Sequence, residues 1–240
     1  MTAPSSPPRV LGIVGGTGPE STIDYYRKLI ASWRRRRPDG SDARVIIDSV
    51  DGGRVIRALG AADLDAAGRA FGAALAELAA AGCGRALIAS NLGHMAFERI
   101  EPPSPIPLIH IVETARDAAV AGGHRRLAII GTRFVMQARL YPDACGPAGI
   151  EIVAPQPTEQ EMVHAIYFDE LVRGIVSDAS LDRLVGLIAT MRDRDAIDGV
   201  ILGGTELALI LTEPTYAGVP ILDTAGLHVE AAVTWLLGRS

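Results

Sequence analysis

Leu11-Gly12-Ile13-Val14-Gly15-Gly16-Thr17 and, further along, Leu127-Ala128-Ile129-Ile130-Gly131-Thr132 are close to one pattern written twice. Each is a short apolar run, rich in β-branched residues, that breaks on glycine and threonine. The run predicts a buried strand and the break predicts a loop. Two more pairs keep nearly the same spacing. Ala86-Leu87-Ile88-Ala89-Ser90-Asn91 resembles Val200-Ile201-Leu202-Gly203-Gly204-Thr205, and Ile106-Pro107-Leu108-Ile109 resembles Val219-Pro220-Ile221-Leu222. The offsets are 115 (Thr17 to Thr132), 114 (Ser90 to Gly204) and 113 (Pro107 to Pro220). Three pairs at so constant an offset are hard to ascribe to chance, so the chain reads as a duplicated unit.

Around these runs, further strands are expected at 45–50, 108–111, 150–153 and 221–222, and helical stretches from 21, over 64–80 and near 94–100. Strands alternating with helices predict an α/β fold with parallel sheets and right-handed crossovers. The expected architecture is two pseudo-symmetric lobes, each a parallel sheet flanked by helices, with an active-site cleft between them. The first lobe takes 9–105 with 223–240, and the second takes 106–222. In open α/β sheets ligands bind beyond the carboxyl ends of the strands, and two such edges facing each other would make one cleft with pseudo-two-fold symmetry.

Composition narrows the function. Hydrophobic residues make up 48% of the 240 but aromatics only 5%, so the core is aliphatic. No apolar run approaches the ~20 residues needed to span a bilayer. A net charge of −5 speaks against a sequence-independent nucleic-acid binder. The arginines at 34–37 read as solvated cations at a helix's negative pole, or as a dock for an acidic partner. Residues 1–8, rich in Ser and Pro, read as a disordered leader and not as a signal peptide. The cytoplasm is therefore the expected location. Lys28 is the only lysine and falls in an amphipathic stretch, read as surface, so a Schiff-base cofactor such as pyridoxal phosphate is not expected. Cys83 and Cys145, each read as a loop residue, are too few for a disulfide framework or a structural zinc site.

Four loops can carry chemistry. Gly15-Gly16-Thr17-Gly18-Pro19-Glu20-Ser21 joins a strand to a helix, where backbone amides and the helix pole favour an anion. It has neither Walker nor Rossmann spacing, and a carboxylate suits it better than a pyrophosphate. Gly131-Thr132-Arg133 is its mate; two such loops facing one cleft suggest a dicarboxylate or an acidic amino acid, and the alternative is two plain turns. Ser90-Asn91-Leu92-Gly93-His94 and Gly203-Gly204-Thr205-Glu206 form the second pair. His94 is an acid/base or a helix cap. Glu206, at a strand end, is a working carboxylate or a brace for the loops.

These four motifs, with Ile166-Tyr167-Phe168-Asp169-Glu170-Leu171-Val172-Arg173-Gly174 and Asp223-Thr224-Ala225-Gly226-Leu227-His228, resemble those of the aspartate/glutamate racemase family, in order and over nearly the whole chain. The resemblance implies two pseudo-symmetric α/β lobes, a site between them, no cofactor, no metal and a homodimer. It implies a small carboxylate or amino-acid substrate contacted by Gly16, Thr17, Asp51, Asn91, Thr132, Arg173, Gly204 and Thr205, although Arg173 also suits a surface salt bridge. The family moves a proton between two cysteines on opposite faces of the substrate α-carbon, within Cys-Asn-Thr-Ala-His and Gly-Cys-Thr-Glu. Here those positions hold Ser90 and Gly204, and Leu92-Gly93 replaces Thr-Ala.

The substitution matters because a thiol ionises near pH ~8.5 and becomes a base with modest tuning, whereas a serine hydroxyl needs an adjacent base. The candidate catalytic set is therefore Ser90, His94, Glu206 and His228. Three readings follow: an isomerase with substituted bases; a lyase, decarboxylase or dehydratase using one acid/base or water; and a carboxylate-binding protein without catalysis.

Overall fold

The computed structural model describes residues 9–239 other than Pro38; the leader expected over 1–8 lies outside them. The first sheet holds β1 (Leu11–Gly15), β2 (Val45–Ser49), β3 (Arg85–Ile88) and β4 (Leu108–Ile109), in the order β2-β1-β3-β4 and all parallel. The second holds β5 (Arg126–Gly131), β6 (Glu151–Val153), β7 (Gly199–Gly203), β8 (Thr215–Tyr216) and β9 (Val219–Leu222), in the order β6-β5-β7-β9-β8. Apart from β8, an antiparallel edge on β9, the second order repeats the first. The duplication in the sequence is a duplication of topology. Interior strands β1 and β7 are buried at every residue, so they carry continuous apolar runs and not an alternation.

The helices are α1 (Pro19–Arg36), α2 (Gly52–Gly60), α3 (Leu64–Ala80), α4 (Phe97–Ile100), α5 (Ile111–Ala121), α6 (Arg133–Gln137), α7 (Leu140–Cys145), α8 (Pro157–Ala165), α9 (Asp178–Asp195) and α10 (Thr224–Leu236). Two of them cross between the halves. Helix α5 follows β4 but packs on α7 and β9, while α10 follows β9 but packs on α1 and β4; the two also pack on each other. An apolar cluster accordingly runs without a break from Val14, Phe71 and Ile88 through Ile111 and Val112 to Leu127 and Ile201. The halves share this cluster, and two further clusters lie on the outer faces, one around Ile130 and Leu184 and one around Ile13, Tyr25 and Val229.

Several expectations change. The boundary at 105/106 falls inside the first sheet, because Leu108 and Ile109 pair with Ala86 and Leu87 of β3. The chain crosses over after β4, as the repeat requires, since β4 and β9 are equivalent last strands. The helix expected near 94–100 is a tight 3-10 turn, Leu92–Ala96, followed by the short α4. Cys145 is the buried last residue of α7, not a loop residue. Lys28 is not a free surface lysine: its ammonium lies 2.6 Å from Asp24 and 2.8 Å from Asp223. The arginines at 34–37 end α1 and pair with Asp42, Glu230 and Asp39 of this chain. Among the described residues no helix is long and apolar enough to cross a membrane.

Candidate active site between the two sheets

Four loops leave the carboxyl ends of β1, β3, β5 and β7 and meet between the sheets. They carry, in that order, Thr17 with Gly18, Ser90, Thr132, and Thr205 with Glu206. A fifth segment closes the space. After α8 the backbone widens into a π-helical turn over Ile166–Glu170 and tightens into a 3-10 turn over Leu171–Arg173. Tyr167, Phe168 and Val172 of this segment line the cavity, as do Ile56 and Leu92. The cavity spans about 280 Å³ and is open in part to solvent. One wall is hydroxylic and the other aliphatic and aromatic. No lysine, arginine or histidine lines it among the described residues.

Glu206 is the carboxyl group that lines the cavity. Its Oε2 accepts hydrogen bonds from the Tyr167 hydroxyl and, at 3.0 Å, from Thr205 Oγ1. Burial raises its pKa, and these two bonds oppose the rise without cancelling it. Its Oε1 presses on the first glycine loop so closely that a Cβ on Gly18 would stand 1.7 Å away. Position 18 must therefore be glycine while this carboxylate spans the two halves. Burial also holds the Tyr167 hydroxyl well above the usual phenol range, so it stays protonated and donates.

Gly204 has a second consequence. A Cβ there would lie 2.3 Å from Cε2 of Tyr167. The tyrosine ring occupies the niche that a side chain at 204 would need. Ser90, on the opposite half, is buried; its Oγ accepts the Gly93 N–H at 3.1 Å.

The cavity thus gathers Thr17, Ser90, Thr132, Thr205 and Glu206 from the sequence-derived candidates, and Gly204 abuts Tyr167 behind it. It does not gather the two histidines. His94 Nδ1 donates to the Ser90 carbonyl at 2.7 Å, which leaves Nε2 to accept the Ile111 N–H at 3.3 Å. His228 Nε2 donates to the Ile109 carbonyl at 2.8 Å, and Nδ1 accepts from the Tyr25 hydroxyl at 3.1 Å. Each ring has both nitrogens engaged in bracing the fold. Burial pushes His94 well below its usual range and His228 down to about 4, so both are neutral.

Other candidates also lie off the cavity. Asp51 is exposed and caps α2 by accepting the Arg54 N–H. Arg173 is exposed at the end of the closing segment. The Gly16 N–H is spent on Thr22 Oγ1. Asn91 is a buried strut: it donates to Thr224 Oγ1 at 2.9 Å and accepts from the Tyr141 hydroxyl, tying β3's loop to the second half. Thr132 both lines the cavity and caps α6. The residue that sequence reasoning left without a role is Tyr167. A signal for it existed in the expectation that position 204 carries a side chain, because a glycine in place of an expected side chain leaves a volume that some neighbour must fill.

The chain matches the Asp/Glu/hydantoin racemase family over residues 14–232. The crystal structure of a candidate Asp/Glu racemase from Yersinia pestis superposes with a TM-score of 0.85 at 29% identity, covering 95% of this chain and 99% of that one. An aspartate racemase homologue from Pyrococcus horikoshii gives 0.82 at 28% identity, covering 95% and 99%. The aspartate racemase of Picrophilus torridus shares the fold, with a TM-score of 0.78 at 17% identity, covering 97% and 95%.

Proposed function

The chain belongs to the Asp/Glu/hydantoin racemase family, and from that premise we propose that it is a racemase-type isomerase that moves the α-proton of a small acidic amino acid, without a cofactor, in the cavity between the sheets. The observation that carries this reading is the meeting of Ser90 from the first half and Glu206 from the second in one cavity. Inversion at carbon needs a proton removed on one face and returned on the other, and a pseudo-two-fold cleft presents groups from both sides. Glu206 is the base: burial raises its pKa, which strengthens the carboxylate toward a carbon acid. Ser90 orients the water that returns the proton from the opposite half.

The substrate carboxylates meet hydroxyls and loop amides, with Thr17 on one side and Thr132 on the other. Such donors stabilise the enediolate that forms when the α-proton leaves. Lys28 supports the cofactor-free reading, because Asp24 and Asp223 hold its ammonium in ion pairs. The same reading makes the working form a cytoplasmic homodimer, which light scattering tests for its stoichiometry.

The decisive experiment follows the α-proton by NMR in D2O with L- and D-aspartate and L- and D-glutamate. The expected result is exchange accompanied by inversion. Release of a decarboxylated or eliminated product, or binding with no exchange of any of the four, overturns the reading.

A further inference from the structure

We propose that Tyr167 is a catalytic residue: its hydroxyl meets the substrate α-carbon on the Gly204 side of the cavity and relays the proton to Glu206. The proposal rests on the racemase-type reading above. Three independent features of the structure support it.

The first is steric. The Tyr167 ring lies where a side chain at 204 would project, 2.3 Å from an ideal Cβ. Gly204 and Tyr167 therefore specify each other: the glycine admits the ring, and the ring excludes any larger residue. The second is chemical. The Tyr167 hydroxyl is bonded to the Glu206 carboxylate, which Thr205 also holds, and all three residues line the cavity. A phenol alone is a poor base, but a phenol that gives its proton to a carboxylate while receiving another needs no free phenolate. The third is conformational. Tyr167 sits in a π-helical turn between α8 and the following 3-10 turn. Such turns are rare and often mark functional sites. This one brings Tyr167 and Phe168 together into the cavity.

The step balances as follows. The substrate Cα–H bond breaks, and its electron pair passes into the α-carboxylate as an enediolate. The proton goes to the Tyr167 oxygen as the phenolic proton goes to Oε2 of Glu206, converting that carboxylate to an acid. Return runs the same transfers backwards. The relay stands on one side only, and the Ser90 side holds no comparable pair. The two enantiomers should then behave unequally: the one whose α-hydrogen faces Tyr167 exchanges with solvent faster than it inverts.

The test compares the full-length protein with Tyr167→Phe, which keeps the ring in the Gly204 niche and removes only the hydroxyl. In D2O, wild type should exchange one enantiomer of aspartate or glutamate with retention faster than it racemises it. Tyr167→Phe should lose about 100-fold or more of that exchange while its far-UV dichroism stays native. Placing 3-fluorotyrosine, a more acidic phenol and a stronger donor to Glu206, at 167 should move the limb of the exchange profile set by that carboxylate to lower pH, which a packing role would not do. Wild-type exchange rates in Tyr167→Phe, or an unmoved profile with fluorotyrosine, overturn the relay while leaving the isomerase reading intact. No exchange by wild type with any of the four amino acids overturns both.

Discussion

Replacing Asn91 by alanine distinguishes a structural strut from a substrate contact. Asn91 is 1% exposed and joins three partners: it donates to Thr224 Oγ1 at 2.9 Å and to the Leu202 carbonyl at 3.5 Å, and accepts from the Tyr141 hydroxyl. Thr224 keeps its own 2.7 Å bond to Leu202 after the change. The principal loss is the acceptor for a fully buried Tyr141 hydroxyl, which burial holds in its protonated form. An orphaned buried hydroxyl costs about 1–3 kcal/mol. Adding the small void left by the amide brings the total to about 2–4 kcal/mol. In a chain of this size the melting temperature should fall by about 5–15 °C. Urea titration and calorimetry of Asn91→Ala, Tyr141→Phe and the double variant supply the assay. Tyr141→Phe removes the donor that Asn91→Ala orphans, so the double variant should be less destabilised than the sum by about 1–2 kcal/mol. Additivity within about 0.5 kcal/mol would refute the strut. So would an unchanged melting temperature with a raised KM, the signature of a residue that touches substrate.

Gly204→Ala should cost about 1–3 kcal/mol by driving a methyl into the Tyr167 ring, and a smaller ring-site residue in Tyr167→Ala/Gly204→Ala should relieve it in the same melt. Gly18→Ala should displace the Glu206 carboxylate, whose Oε1 sits 1.7 Å from the added carbon; kcat should fall steeply while far-UV dichroism stays native. His228, with a folded pKa of about 4 against an unfolded ~6.5, contributes stability that is present above pH ~6.5 and lost as pH falls through about 4. The loss should reach about 2 kcal/mol at pH 5, and His228→Asn should flatten that limb of the urea midpoint against pH.

Much of the fold was legible because its signals are local. A run such as Leu11-Gly12-Ile13-Val14 reports a strand covered on both faces, and Gly15-Gly16-Thr17 reports the loop that must follow. The constant offset between such runs anticipated the repeated order of the two sheets. Thr17, Ser90, Thr132, Thr205 and Glu206 all reach one cavity, because each lies in a loop just past a strand's carboxyl end. The lobe boundary was misplaced because Leu108 and Ile109 carry no mark of which sheet they complete.

The alternation of apolar runs with glycine and threonine breaks was enough to determine a duplicated α/β chain and the loops from which its chemistry must come. Which side chains face the cavity and which brace the fold was decided by partners far away in sequence. His228 and His94 carry the residue type of an acid/base, yet Tyr25, 203 positions from His228, and the Ile111 amide, 17 from His94, take up nitrogens that a catalyst would need. Tyr167 carries no such mark, yet the empty position at Gly204 and the carboxylate of Glu206, 39 residues on, give its ring a place and its hydroxyl a proton acceptor. Residue type and local pattern predict where a loop falls; burial and hydrogen-bond partners depend on packing between distant segments, and packing is settled only when the two sheets close on the cluster they share.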